Sequence, residues 1–311
     1  MAPPPLRGRF VWHELLTPDT AGGIRFYTKI TSWKTQPYAG MPDYTLLLGA
    51  RGPIAGVMPL PPEAKAMGAP PNWLSYIGIS DVDATAKQAT TLGAKIYKEP
   101  TNISVGRFAV LADPQGAVFG IYTPNLLDEQ DPKPQLGEFS WHELATSDPV
   151  AAFSFYQQLF GWEKTTSMDM GPIGVYQMYG VPGLELGGIY KMPADCKTPH
   201  WLPYIRIADT RKAAGLTTQL GGKIMNGPME VPGGDLIAMG SDPQGAAFAV
   251  HSLKAAAKAG AAKKPAAKKA APKKKAVAKK AVARKAPAKK KAAPKKAAAK
   301  KKTVKKAGRR R

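Results

Sequence analysis

The chain has 311 residues and a formal charge of +23, from 45 Lys+Arg against 22 Asp+Glu. The excess sits at one end: residues 254–311 hold 26 basic and no acidic side chains, leaving residues 1–253 with 19 basic against 22 acidic. A single cysteine, Cys196, excludes an internal disulfide framework and a multi-cysteine zinc site, and no apolar run reaches the roughly 18 residues of a membrane span. The start, Met-Ala-Pro-Pro-Pro, lacks the basic and apolar regions of a secretory signal, so a cytoplasmic, reduced protein is expected.

Taken in order, Phe10–Leu16 reads as a strand. Asp19 then caps a helix that Gly22-Gly23 weakens by roughly 1 kcal/mol per glycine. Strand-like runs follow at Tyr44–Leu48 and Trp73–Ser80. Asp81 caps a second helix over Val82–Leu92, which Gly93 stops, and strands at Arg107–Leu111 and Val118–Tyr122 close the set. Residues 125–136 are polar and proline-containing and read as a linker.

After the linker the pattern returns. Gly8-Arg-Phe-Val-Trp-His-Glu-Leu15 recurs as Gly137-Glu-Phe-Ser-Trp-His-Glu-Leu144, and Asp19, Phe26-Tyr27 and Trp33 recur as Asp148, Phe155-Tyr156 and Trp162, all at an offset of 129. Asn72-Trp-Leu-Ser-Tyr-Ile77 matches His200-Trp-Leu-Pro-Tyr-Ile205, and Leu92-Gly-Ala-Lys-Ile96 matches Leu220-Gly-Gly-Lys-Ile224, at 128. Asp113-Pro-Gln-Gly116 matches Asp242-Pro-Gln-Gly245, again at 129. Two tandem modules, 8–124 and 137–253, are therefore expected, each reading strand-helix-strands twice.

The series Trp-His-Glu-Leu, Asp, Phe-Tyr, Leu159-Phe-Gly-Trp162, Leu-Gly-Gly-Lys and Asp-Pro-Gln-Gly resembles the vicinal oxygen chelate superfamily of glyoxalases, extradiol dioxygenases and bleomycin resistance proteins. The first module departs from it at Ile30-Thr-Ser-Trp33, which lacks the glycine. The resemblance implies an α+β fold, with paired βαβββ units in each module forming a curved mixed sheet around a cavity. It also implies one divalent metal, held from the first, fifth and eighth strands. Those positions fall on Trp12, Leu74 and Gly120 in module one and on Trp141, Leu202 and Ala249 in module two, none of which offers a donor. No cofactor is expected on this count.

The alternative is a displaced metal site of Glu143 and His251, with His200, serving a lyase, isomerase or dioxygenase of the glyoxalase type. Against it stands a structural reading, with His142 hydrogen-bonded in the core and His200 and His251 near strand ends.

Strand alternation puts Trp12, Glu14 and Leu16 on one face and His13 and Leu15 on the other. In the register the resemblance implies, Trp12, Tyr76 and Tyr122, with Trp141, Tyr204 and His251, line aromatic cavities suited to a small molecule. Glu14 and Glu143 are then the candidate catalytic carboxylates, as general bases or polar anchors. Cys196 has no evident base partner and reads as an incidental thiol. No glycine-rich phosphate loop is present.

The tail, 254–311, has no aromatic, Leu, Ile or acidic residue, so it cannot build a core and is expected to be disordered. Its clusters include Lys263-Lys264, Lys268-Lys269, Lys273-Lys274-Lys275, Lys289-Lys290-Lys291 and Arg309-Arg310-Arg311, spaced five or six residues apart through most of the tail and so not on one helix face. The composition resembles linker-histone tails. Counterion release on phosphate contact favours nucleic acid, most simply DNA without sequence preference, and hence a nucleoid-associated protein. A further alternative is an architectural protein of the chromosome, its body a mere platform.

Overall fold

A computed structural model describes residues 6–125 and 133–254. Residues 126–132 of the expected linker, and the tail beyond Lys254 with all its basic clusters, lie outside the described residues. The first module runs β1 (Phe10–Thr17), α1 (Thr20–Thr31), β2 (Lys34–Pro37), β3 (Thr45–Gly49), β4 (Gly52–Pro59), α2 (Pro62–Ala66), β5 (Asn72–Gly78), α3 (Val82–Thr91), β6 (Lys95–Ile103), β7 (Gly106–Ala112) and β8 (Val118–Pro124). The second repeats it with β9 (Phe139–Thr146), α4 (Pro149–Phe160), β10 (Glu163–Asp169), β11 (Val175–Val181), β12 (Leu184–Lys191), β13 (His200–Arg206), α5 (Thr210–Gln219), β14 (Lys223–Glu230), β15 (Leu236–Ser241) and β16 (Ala247–Ser252). No helix among the described residues is long and apolar enough to cross a membrane.

Each module is one eight-stranded mixed sheet, β2-β3-β4-β1-β5-β8-β7-β6 and β10-β11-β12-β9-β13-β16-β15-β14. Within a half the first strand runs parallel to the fourth, and the two halves meet where β1 pairs antiparallel with β5, and β9 with β13. The α+β class and the strand-helix-strands halves are as expected.

Three strands per module are absent from the sequence reading. β2 and β6 are edge strands with largely exposed side chains, so no apolar alternation marks them, and β4 opens on Gly-Pro. The helices start where their caps require: the Asp19, Asp81, Asp148 and Asp209 side chains each accept from a backbone N–H of the first turn. α1 forms despite Gly22-Gly23, because a Cβ on Gly23 would meet Leu15 at 2.9 Å, so the glycine lets the helix lie close on β1. α4 ends on Gly161 in the left-handed region; the glycine missing from module one is replaced by Ser32, held there at φ 65°.

The helix-side cores are shared crosswise. One joins α3 and β5–β8 of module one to α4 and β9–β12 of module two; the other joins α1 and β1–β4 to α5 and β13–β16. The repeated motifs make these joints. Trp33 Nε1 donates to the Gly137 carbonyl and Trp162 Nε1 to that of Gly8, both at 2.6 Å. Tyr27 donates to Asp242, and Tyr156 to Asp113 at 2.9 Å, while the same aspartates tie their own Asp-Pro-Gln-Gly turns by accepting backbone N–H groups.

At the centre His13 Nε2 and His142 Nε2 lie 2.8 Å apart, stacked between Phe139 and Phe10 with ring centroids 3.7 and 3.6 Å away. His142 is thus hydrogen-bonded in the core. Burial holds His13 well below the ordinary imidazole range, with His142 adding to the effect, and pushes His142 down to about 3; both are neutral, one donating and one accepting.

Candidate functional site: two aromatic cups

The opposite face of each sheet is a smaller apolar cluster, with Trp12, Leu16, Leu74, Tyr76, Phe108 and Tyr122 in module one and Trp141, Leu202, Tyr204, Ile237 and Met239 in module two. A bulge creates the switch between faces. Opposite the consecutive residues Tyr76 and Ile77 stand Trp12 and Phe10; opposite Tyr204 and Ile205 stand Trp141 and Phe139. The extra residue, Val11 or Ser140, lets the phenylalanine face the imidazoles while the tryptophan faces the cup.

In module one Glu14 Oε1 accepts from Tyr44 at 2.8 Å and Oε2 from Tyr76 at 2.6 Å, while Trp12 Nε1 donates to Tyr44 Oη at 2.9 Å. In module two Glu143 accepts from Tyr176 and Tyr204, and Trp141 donates to Tyr176, each at 2.8 Å. Close approach over glycine makes this geometry: a Cβ on Gly56 would lie 2.0 Å from Tyr44 Oη, and one on Gly188 2.0 Å from Tyr176. Burial raises both carboxyls above the ordinary Glu range, and the tyrosine bonds partly offset it. Burial, then the carboxylates, raise Tyr44, Tyr76, Tyr176 and Tyr204, so among these groups the carboxyl rather than a phenol is the readier acid.

Trp12, Tyr76 and Glu14, and Trp141, Tyr204 and Glu143, are thus brought together, whereas Tyr44 and Tyr176 were missed. They recur at an offset of 132, as do Gly56 and Gly188, because the segment before them differs in length; a search at 129 passes over them. Tyr122 and His251 stand further out. Tyr122 donates to the Val105 carbonyl at 2.7 Å and is pushed up to about 12 by burial. His251 Nε2 makes a short hydrogen bond to Ser140 Oγ, and its Nδ1 lies 3.9 Å from Asp235. Burial lowers its pKa against the pull of Asp235.

The displaced metal set is not assembled. His200 opens β13 level with Ala145, and His251 stands level with Arg206 at the other end of the same strand, six residues or about 20 Å away at the usual strand rise. His200 Nδ1 faces the Thr198 carbonyl at 2.9 Å and Cys196 Sγ at 3.8 Å. Among the described residues no three His, Cys, Asp or Glu side chains form a group that could hold an ion. The first, fifth and eighth strand positions do not fit one either. They carry indole, isobutyl and hydrogen or methyl groups, and the Tyr76 ring lies where a Cβ on Gly120 would be, 2.1 Å away.

No family model matches the chain. A protein of Mycobacterium tuberculosis (strain CDC 1551 / Oshkosh) named as a glyoxylase is 29% identical over 243 residues, covering 77% of this chain and 92% of its own. The anthracycline biosynthesis protein DauV of Streptomyces sp. (strain C5) is 28% identical over 269 residues, covering 80% and 94%. Among solved structures, the Mn(II)-bound glyoxalase from Novosphingobium aromaticivorans superposes with a TM-score of 0.52 at 14% identity, over 79% of this chain and 82% of that one. An extradiol ring-cleaving dioxygenase from B. fuscum does so with a TM-score of 0.56 at 14% identity, over 81% and 73%.

Proposed function

Taking the chain as a two-module protein of the vicinal oxygen chelate superfamily, we propose that its cups bind a small planar molecule without a metal ion. The basic tail tethers this body to nucleic acid. The observation that carries the reading is the duplicated Trp–Tyr–Glu–Tyr network, standing where family positions carry no donor. A half-buried indole supplies a stacking wall, and the carboxylate anchors an O–H or N–H of the ligand. With its pKa raised by burial, Glu14 or Glu143 is suited to accept that proton as a general base. Relatives whose names place them in anthracycline biosynthesis favour a planar aromatic ligand.

The competing reading is a metal-dependent lyase, isomerase or dioxygenase, favoured by the Mn(II)-bound glyoxalase among the structural neighbours. Metal analysis of the protein after chelation and reloading with Mn²⁺, Fe²⁺ or Zn²⁺ separates the two. We expect less than one ion per chain with each; a stoichiometric ion that His251→Ala removes favours the competing reading.

The tail is tested by deleting residues 254–311. The body should then lose DNA retention, while the full chain should lose affinity with a logarithmic salt slope of about −0.9 per phosphate contact. Retention by the truncated body at moderate salt defeats the tether, and with it the nucleoid location.

A further inference from the structure

The two crosswise joints are built from equivalent residues, but they are not equally closed. At the α3–α4 joint Gln88 Nε2 donates to the Gln158 carbonyl at 3.1 Å and bridges the two helices. Asp81 and Asp209 are the equivalent caps, so the place of Gln88 is taken in α5 by Leu216, which makes no such bridge. There, between the end of α1 and the start of α5, a cavity of about 430 Å³ opens, within the range of small-molecule sites. Trp33, Ile207 and Leu216 give it an apolar floor, and the Trp33 indole is fixed by its bond to Gly137.

Its rim carries Lys29, Lys34 and Lys212, all exposed and none within ion-pair distance of an acid among the described residues. The one acid in the lining, Asp209, is turned back to cap its own helix at the Lys212 N–H. At the α3–α4 joint the equivalent positions are Gln158, Glu163 and Ala84, so the positive rim belongs to one joint alone.

We propose that this cavity is a binding site, separate from the cups, for a small organic anion: an apolar body on the Trp33–Leu216 floor and a carboxylate or phosphate ester at the lysine rim. A bare inorganic ion would leave the floor unused, and a neutral apolar molecule the rim.

The test is calorimetric titration of the full chain with benzoate, phenyl phosphate and neutral benzyl alcohol, at about 0.15 M salt to screen the tail. At least one anion should bind saturably at one site per chain, and which one does so identifies the head group; the alcohol should bind at least about tenfold more weakly. Lys34→Glu with Lys212→Glu should lower the anion affinity about tenfold or more while near-ultraviolet circular dichroism is unchanged. Leu216→Gln, which puts the bridging side chain of the other joint here and leaves the lysines intact, should do the same. Absence of a saturable site, equal binding of the alcohol, or an affinity indifferent to both sets of substitutions would overturn the proposal.

Discussion

At the base of the two cups the same four side chains meet in the same order, Trp12–Tyr44–Glu14–Tyr76 in one and Trp141–Tyr176–Glu143–Tyr204 in the other, while the strands around them have diverged. Module one surrounds its base with Phe108 and Tyr122; at the same places module two has Ile237 and His251, the latter tied to Ser140. Burial does not separate the bases: Tyr44, Tyr76, Tyr176 and Tyr204 are all buried, and burial raises both carboxyls. A base preserved through divergence of its surroundings behaves as a unit in which each polar group needs the others. The rim is where the cups can differ in what they hold.

The largest effect should come from breaking a base. Glu143→Leu leaves the hydroxyls of Tyr176 and Tyr204 buried without their acceptor, and an unmet buried donor costs about 1–3 kcal/mol. A loss of about 3 kcal/mol is expected from the urea midpoint, and a similar one for Glu14→Leu, because Tyr44 and Tyr76 are buried like Tyr176 and Tyr204. Combining Glu143→Leu with Tyr176→Phe and Tyr204→Phe should recover most of that loss, since no polar group is then stranded. A much smaller loss in one module would mean that the two bases are not energetically equivalent.

Next in size is the histidine pair between the modules, which belongs to both equally. His13 and His142 have folded pKa values below the ordinary 6.5, so the unfolded chain takes up protons first as pH falls. Their contribution is complete above 6.5 and is lost as pH drops below it, continuing toward about 3 for His142. The slope approaches about 1.4 kcal/mol per pH unit for each imidazole. Glu14 and Glu143 act oppositely: with raised folded values, their contribution is present below the ordinary 4.5 and is lost as pH rises through the folded value, so their protonation offsets part of the acid loss. Urea unfolding at pH 6.5 and 5.5 should therefore show a fall in the native chain that the double variant His13→Asn, His142→Asn largely lacks. A fall of the same size in that variant would assign the acid sensitivity elsewhere.

Much of this was legible in the sequence because it is local. The repeat, the four Asp caps, and the shared face of Trp12 and Glu14 follow from spacing alone, while Tyr76 and Tyr204 come only with the register that the resemblance implies. What was not legible depends on how distant segments pack. Tyr44 and Tyr176 become partners of a carboxylate only because Gly56 and Gly188 let them cross the next strand. The repeated Tyr27, Trp33 and Asp242 carry no mark that their partners lie in the other module. The same motifs that identify the fold therefore hold the modules together, and the cups depend on residues outside the strongest repeat.

The smallest effect on stability, and the sharpest test of the contrast, lies at the rim. His251→Tyr and Tyr122→His exchange the two rims while leaving both bases untouched. Each removes one hydrogen bond, to Ser140 or to the Val105 carbonyl, so a cost near 1 kcal/mol is expected for each. Binding of a planar phenol such as 2-naphthol should respond more than stability does. If the rim selects and the base anchors, the exchange shifts affinity several-fold in opposite directions in the two cups, whereas Glu14→Gln and Glu143→Gln weaken both. The cups are read separately by carrying the exchange in a chain whose other base holds Glu→Gln. An exchange that leaves 2-naphthol binding unchanged in both such backgrounds would remove the rim from the ligand site and leave the base alone to account for recognition.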